Sequence, residues 1–561
     1  MQMELSTDPA SAEQQIEAII FYLTTCGYID SEFDLSEKAF IRKYLRTLVT
    51  NRVDQHTPDL NRELRFETIE REHEHYLEIF QRIDHEVKEL FSEAVADSEN
   101  IQQFVQAKLK LRCFELFQEL SEKNRNALLT VVDDFISADG VIHAKEVQFR
   151  NELALLLEQE VHVEERQTLE RGVTLKPAAA RPVVQDNHPF FKNFEHHYSA
   201  DPETMHTQMQ ADLNVLTQSE AIFTKQRAQG HGRLTGKQTL EAFRGQKGFL
   251  DGHVYLDAPA PGKDYELIVL GDLHGCYSCL KAAVLQSDFM NKLHRHQQDP
   301  ERFPDVRLIF LGDYIDRGRF SYNGILRTVL KLFIAAPDHV YVLRGNHEYY
   351  IKHEGRIYGG VRPAEAINTL TQHAPLEVFE RYLDFFDQMP NLLLFDRSVF
   401  VHGGIPRDKD LRTHWKDLSS LNQDDLRFQM LWSDPSRADV IPDELQAASA
   451  RFPFGRLQFR DFMRRLGGNL MVRGHEKVNA GFKNVYRDED LRLFTLFSAG
   501  GVANNDLPQD SSYRDVRPMA LTISSHAGLV EATPWAIDYR RYQNPDLNAF
   551  FKAAPEIDMK H

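Results

Sequence analysis

Cysteine is scarce in this chain. Cys26, Cys113, Cys276 and Cys279 are the four among 561 residues, too few and too irregularly spaced for a disulfide framework, which points to a reducing, cytoplasmic setting. Cys276 and Cys279 have C-x-x-C spacing, but no second pair completes a zinc site, and helix packing accounts for them. No apolar run reaches the ~18 residues a bilayer span requires. Met1-Gln2-Met3-Glu4 has neither a basic nor an apolar signal region, so neither secretion nor membrane insertion is expected. Positive charge is short as well. A net charge of -18 argues against a nucleic-acid partner, because a phosphate backbone demands clustered Lys and Arg. An acidic protein that handles an anion must create positive charge locally, with metal ions and a few arginines.

The chain is far longer than the ~250 to 300 residues at which one core stops growing, so more than one domain is expected. Residues 1–171 read as an all-helical accessory domain, with apolar stripes at Ile16, Ile19, Ile20 and Leu23 and at Leu128, Val131, Val132 and Phe135. Two segments look alike, turning at Gly27-Tyr28-Ile29-Asp30 and at Asp139-Gly140-Val141-Ile142-His143, which suggests a duplication. The second turn, followed by Glu146, resembles the tellurite-resistance B-like domains over that one turn. Asp139, His143 and Glu146 could bind a metal, but a helix N-cap, a Gly turn and first-turn acids are the favoured explanation. Residues 172–244 read as a linker and connecting helices, because Lys176-Pro177-Ala178-Ala179-Ala180-Arg181-Pro182 cannot hold a helix. His188, His196, His197 and His206 match no metal-site spacing and read as surface residues. Residues 245–545 alternate strands and helices, and 546–561 form a C-terminal tail.

The chemistry is concentrated in five outcrops, each directly after an apolar run. They are Asp272 and His274 in Gly-Asp-Leu-His-Gly, Asp313, Asp316 and Arg317 in Gly-Asp-Tyr-Ile-Asp-Arg-Gly, Asn346, His347 and Glu348, His402-Gly403-Gly404, and Arg473-Gly474-His475. Imidazoles, carboxylates and an amide oxygen at strand-end loops suit divalent manganese, iron or zinc. Two such ions sharing one carboxylate make a hydrolase for phosphate esters.

The order and spacing of these motifs from Gly271 to Ala499 closely resemble the phosphoprotein phosphatases, the metal-dependent serine/threonine phosphatases of the calcineurin-like metallophosphoesterase superfamily. Trp432-Ser433-Asp434-Pro435 and Ser321 agree with that family too. The resemblance implies an α/β fold, two packed mixed β-sheets flanked by helices. It implies that Asp272 and His274 hold one metal, Asp313 bridges, and Asn346, His402 and His475 hold the other, with manganese the working choice. A hydroxide between the ions would attack the phosphorus directly. His347 would act as general acid, oriented by Asp316, since a carboxylate partner keeps an imidazole protonated. Phosphate would be bound by Arg317, Asn346 and a second arginine, for which Arg451 and Arg437 compete; Arg473 would have a structural role.

One departure stands out. After Leu496-Phe497-Ser498-Ala499 the family commonly continues Pro-Asn-Tyr, whose tyrosine lines the substrate cleft, whereas this chain has Gly500-Gly501-Val502. Residues around His294-Arg295-His296-Gln297-Gln298 form an extra stretch, expected as a surface insertion. The expected partner is a phosphoprotein, with a further protein partner for the helical domain. A dinucleoside-tetraphosphate hydrolase is the rival enzyme, although Asp316, Arg319 and Glu348 fall on the phosphatase side. A catalytically silent binding scaffold is the alternative of another class.

Overall fold

The computed structural model describes the chain except for residues 1–4, 7, 30–32, 92, 94, 97–98, 119, 138–143, 158–171, 260–261, 489 and 553–561. The chain divides into two compact units. Met1–Glu164 and Ser436–Ser449 form one; Glu165–Pro435 and Ala450–His561 form the other.

In the first unit, helices span Pro9–Ile29, Leu35–His56, Arg62–Leu90, Ile101–Gln118, Glu122–Ile136 and Ala144–Leu157. Starts are set by side-chain caps. Asp34 and Glu37 form a reciprocal capping box, and Asn61 and Ser121 accept from Leu64 N and Asn124 N. Ile16, Ile19, Ile20 and Leu23 meet Leu128, Val132 and Phe135 in one core, while Val131 is only partly covered. The turn expected at Gly27 is displaced. The first helix runs through Gly27 to Ile29, and a Cβ at Gly27 would lie 2.2 Å from the Phe33 ring. Asp139 and His143 of the candidate metal group lie outside the described residues, and Glu146 is buried. Ala438, Ile441 and Leu445 from the returning segment join this core.

The second unit is built on two mixed sheets. One runs Thr174–Leu175, Leu529–Ala536, Met519–His526, Tyr265–Leu270, Asp305–Phe310, Val340–Val342; the other runs Phe482–Arg487, Arg492–Leu496, Leu470–Arg473, Ser398–Val401, Leu392–Phe395, Val254–Asp257, Phe249–Asp251. Side-chain alternation explains their burial on both faces. Leu393 and Phe395 enter the large core shared with Leu267, Ile268 and Leu308, while Leu392 and Leu394 face Phe459, Phe462 and Met463 of the helix Arg456–Leu466. The central strands pair in parallel, so the loops at their carboxyl ends gather on one edge, the usual ligand edge of such sheets.

Several peripheral stretches are structural parts of this unit. Thr174–Leu175, inside the expected linker, pairs with Leu529–Ala536, and Val173, Phe191 and Tyr198 are core residues. Their apolar side chains anchor a stretch whose Pro and Ala content reads as linker. A 29-residue helix, Pro202–Gly230, follows. His197 is half-buried, and its Nε2 meets Phe550 O at 2.6 Å. The insertion near His294 is a helix, Phe289–Gln298. The tail begins inside the core, with Asn548 and Phe550 buried.

Candidate metal centre

Five loops converge at that edge. Asp272 and His274 follow the strand Tyr265–Leu270, Asp313 and Asp316 follow Asp305–Phe310, Asn346 and His347 follow Val340–Val342, His402 follows Ser398–Val401, and His475 follows Leu470–Arg473. The turns are sharp enough to force left-handed backbone on ordinary residues: φ is 40° at His274, 55° at Asp313, 67° at Asp316, 66° at Arg317 and 67° at His475. Each such residue costs ~1–3 kcal/mol, and strain of this kind collects at functional sites. Glu348 holds part of it in place. Its carboxylate accepts Asp313 N and Tyr314 N at 2.8 Å and Gly345 N at 2.9 Å. Burial, and then the Asp313 charge, push the Glu348 carboxyl above its ordinary range. Gly345 must lack a side chain, since a Cβ there would lie 2.1 Å from Asp313 Oδ1.

The donor set is buried and aimed inward. His274 Nδ1 lies 2.9 Å from Ile315 O and therefore carries the proton, leaving the Nε2 lone pair 3.4 Å from Asp313 Oδ2 and 3.9 Å from Asp272 Oδ2. His402 is fixed in the same way by Leu311 O at 3.1 Å, and its Nε2 faces Asn346 Oδ1 at 2.8 Å and Asp313 Oδ1 at 3.3 Å. His475 Nδ1 faces the same amide oxygen at 3.1 Å, and its backbone N donates to Asp272 Oδ1 at 2.9 Å. Asp272 Oδ2 is buried without a hydrogen-bond partner. Burial lowers the His274 pKa to about 3 and pushes His475 down as well, so both stay neutral, the form that ligates a cation. His402 goes the other way: burial opposes its proton, and Asp313 more than restores it. Imidazoles, carboxylates and one amide converging in a buried pocket, with Asp272 Oδ2 left unpartnered, fit divalent cations in chemistry and in spacing. His274, Asp313 and His347 form one close group, and Asp313, His402 and His475 another, so Asp313 is common to both.

His347 is tied elsewhere through its other nitrogen. Nδ1 lies 2.7 Å from Asp316 Oδ2, and Asp316 is itself held by Ala366 N at 2.8 Å. Burial works against a charged imidazole here, but Asp313 and then the Asp316 hydrogen bond raise the His347 pKa above its ordinary value. Arg317 Nη1 donates to Glu365 Oε1 at 2.6 Å. Of the two competing arginines, Arg451 is the one beside the site. Its Nε donates to Asp434 Oδ2 at 2.7 Å, and Asp434 Oδ1 lies 4.0 Å from His475 Nε2. Arg437 belongs to the helical unit. Arg473 is wholly buried and donates to Asp434 Oδ1 at 2.8 Å.

Sequence reasoning missed Glu348 as a brace, Asp434 as the shared partner of two arginines, and Tyr513. The Tyr513 ring lies 5.3 Å from His274 and 5.3 Å from Phe497, in the field of Arg317, Asp272 and Asp313, and burial pushes its hydroxyl pKa up. The glycine pair that departs from the family pattern makes this arrangement fit. Gly500 has φ 135°, and a Cβ there would lie 2.6 Å from Val516 O.

Residues 265–479 match the family described as calcineurin-like phosphoesterase. The chain is 28% identical over 260 residues to a protein of Encephalitozoon cuniculi named "Probable serine/threonine-protein phosphatase", covering 46% of this chain and 51% of that protein. It is 30% identical over 236 residues to a serine/threonine-protein phosphatase of Caenorhabditis elegans, covering 41% of this chain and 46% of that one. The chain thus spans about half the length of the curated relatives it matches. Among solved structures, a protein serine/threonine phosphatase from Saccharomyces cerevisiae with similarity to human phosphatase PP5 is 17% identical, with TM-score 0.36, covering 58% of this chain and 89% of that chain.

Proposed function

We propose that the calcineurin-like phosphoesterase domain over residues 265–479 is a two-metal phosphatase that releases phosphate from phosphoserine and phosphothreonine in proteins. The observation that carries this reading is the His347–Asp316 pair, 2.7 Å apart, set at the rim of a buried acceptor cluster centred on Asp313. Asp272 and His274 would hold one ion, Asn346, His402 and His475 the other, and Asp313 both; manganese is the working choice. When bound, such ions supply Lewis acidity toward phosphate oxygens and an activated water as nucleophile. Arg317 and Arg451 offer guanidinium donors matched to phosphate oxygens. With Nδ1 committed to Asp316, Nε2 of His347 carries the proton that passes to the departing serine or threonine oxygen. Asp316 keeps the imidazolium in one tautomer and orientation, and Glu348 holds the Asp313 turn.

Phosphate release should be measured from phosphoserine and phosphothreonine peptides, with diadenosine tetraphosphate in parallel, in manganese, for wild type and His347→Ala. Peptide hydrolysis that collapses in the variant is the expected result. Preferential cleavage of the dinucleotide would instead place the domain among small-phosphoester hydrolases.

A further inference from the structure

The Arg317 side chain has a single anchor. Its backbone is left-handed, with φ 66°, and a long flexible stem separates that strained turn from the guanidinium. Among the described residues the protein group hydrogen-bonded to the guanidinium is Glu365, whose Oε1 accepts from Nη1 at 2.6 Å. Both side chains are largely buried, Arg317 being 13% exposed and Glu365 22%. A guanidinium is a rigid planar fork that can engage an anion along more than one edge. A partner on Nη1 leaves the edge formed by Nε and Nη2 without a protein acceptor, and an anion arriving there meets donors already held in place.

The position of Glu365 is itself well determined. It opens the helix Glu365–Leu370, whose Ala366, Ile367 and Leu370 are buried in the large core of the phosphoesterase unit. The chain entering this helix lies so close to the strand Arg356–Gly359 that a Cβ at Gly359 would fall 2.4 Å from Ala364 Cβ. Ala366 N donates to Asp316 Oδ1 at 2.8 Å. Consecutive residues of the helix start therefore hold consecutive residues of the metal-site turn: Ala366 holds the carboxylate that orients His347, and Glu365 holds the arginine. Glu365 Oε2 is buried without a hydrogen-bond partner among the described residues. A buried carboxylate must be paired to be tolerated, and the contact with Arg317 is what offsets the burial of this one.

We infer that Glu365 is a positioning residue for phosphate binding: its carboxylate holds the Arg317 guanidinium in the orientation that offers Nε and Nη2 to the substrate phosphate. The inference rests on the phosphatase reading for the role of Arg317. Without the carboxylate the arginine has to be immobilised as substrate binds, and that ordering is taken from affinity. Two effects of opposite sign meet at this position. A negative charge beside an incoming phosphate weakens binding, whereas a guanidinium placed in advance strengthens it. Placement wins, because the Glu365 charge is already compensated by Arg317 at 2.6 Å and the phosphate meets the pair rather than a free anion.

The test uses the full chain with manganese, p-nitrophenyl phosphate as substrate and inorganic phosphate as inhibitor. Glu365→Ala is expected to raise KM and the phosphate inhibition constant together by about threefold to tenfold, as the ordering of one long side chain on binding does, with kcat within about twofold. Glu365→Gln keeps an accepting oxygen and should bind phosphate within about twofold of wild type. Glu365→Asp keeps the charge but is a methylene shorter, so it should raise KM as well, and it covers the case in which Glu365→Ala fails to fold. Unchanged constants, tighter phosphate binding in Glu365→Ala, or a Gln variant as weak as the Ala variant overturns the proposal, because charge and not placement would then be at work. A fall in kcat at constant KM overturns it too, since it marks a loosened helix that releases Asp316 through Ala366. If wild type hydrolyses no phosphomonoester, the functional reading fails. Calorimetric phosphate binding then decides this one: weaker binding in Glu365→Ala sustains it, and equal or tighter binding overturns it.

Discussion

At the scale of single residues, the buried histidines of the site are driven in opposite directions. His274 and His475 are pushed toward neutrality by burial, whereas His347, equally buried, is pulled the other way by two carboxylates. His402 shares the upward pull of Asp313, so what sets His347 apart is its Nδ1, held 2.7 Å from Asp316 Oδ2. His347→Ala should lower kcat by about 10²- to 10⁴-fold, the usual worth of a positioned acid, while manganese binding measured calorimetrically stays near wild type. Asp316→Asn should give a smaller loss and a pH profile whose alkaline fall comes earlier. The sign follows from the raised pKa: activity needs the protonated imidazole, so it declines as pH rises through the folded value, and removing the carboxylate lowers that value. An unchanged alkaline limb in Asp316→Asn would separate the pair. Most of these residues were legible in the sequence because each stands directly after an apolar strand and within a short motif. Glu348 was legible only as part of a motif, since its work is done through the backbone amides of Asp313 and Tyr314, which no spacing reveals.

At the scale of elements, strands were legible because their apolar runs end in polar turns, and the loops between them were not. Gly500-Gly501 reads in sequence as a lost tyrosine; in the fold it is the room into which the turn Ser512–Asp515 settles, bringing Tyr513 onto His274. Gly500→Ala should therefore strain a backbone at φ 135° and lower Tm, and both it and Tyr513→Phe should raise KM for p-nitrophenyl phosphate; a normal KM in both variants would show that the hydroxyl has no part in binding. The hairpin turn before Val254–Asp257 carries a different device. His253 Nδ1 lies 3.0 Å from Met389 O, and burial followed by the Arg427 charge pushes its pKa down to about 3. The unfolded chain would bind this proton near pH ~6.5, so between those values it holds more protons than the folded one, and stability is lost as pH falls. His253→Gln should lose less Tm than wild type between pH 7 and pH 5. The stretch after residue 172 misled for a related reason: its Pro and Ala content hides the few apolar residues, Val173, Phe191 and Tyr198, that pin it into the core.

At the scale of the whole molecule, the helical unit would be read from sequence as a detachable module, to be removed by cutting near residue 180. The contact pattern argues otherwise, because Ser436–Ser449 belongs with it, and such a long-range return leaves no mark in composition or periodicity. Truncation to residue 164 would expose Ala438, Ile441 and Leu445. The two larger side chains are each worth ~1.5–3 kcal/mol when fully buried, and a new apolar patch invites association. The truncated protein should show a lower Tm and aggregate on gel filtration, and replacing Ile441 and Leu445 by Ser in the truncated background should restore a monodisperse peak. If the plain truncation is already monodisperse with an unchanged Tm, the excursion does not depend on the helices.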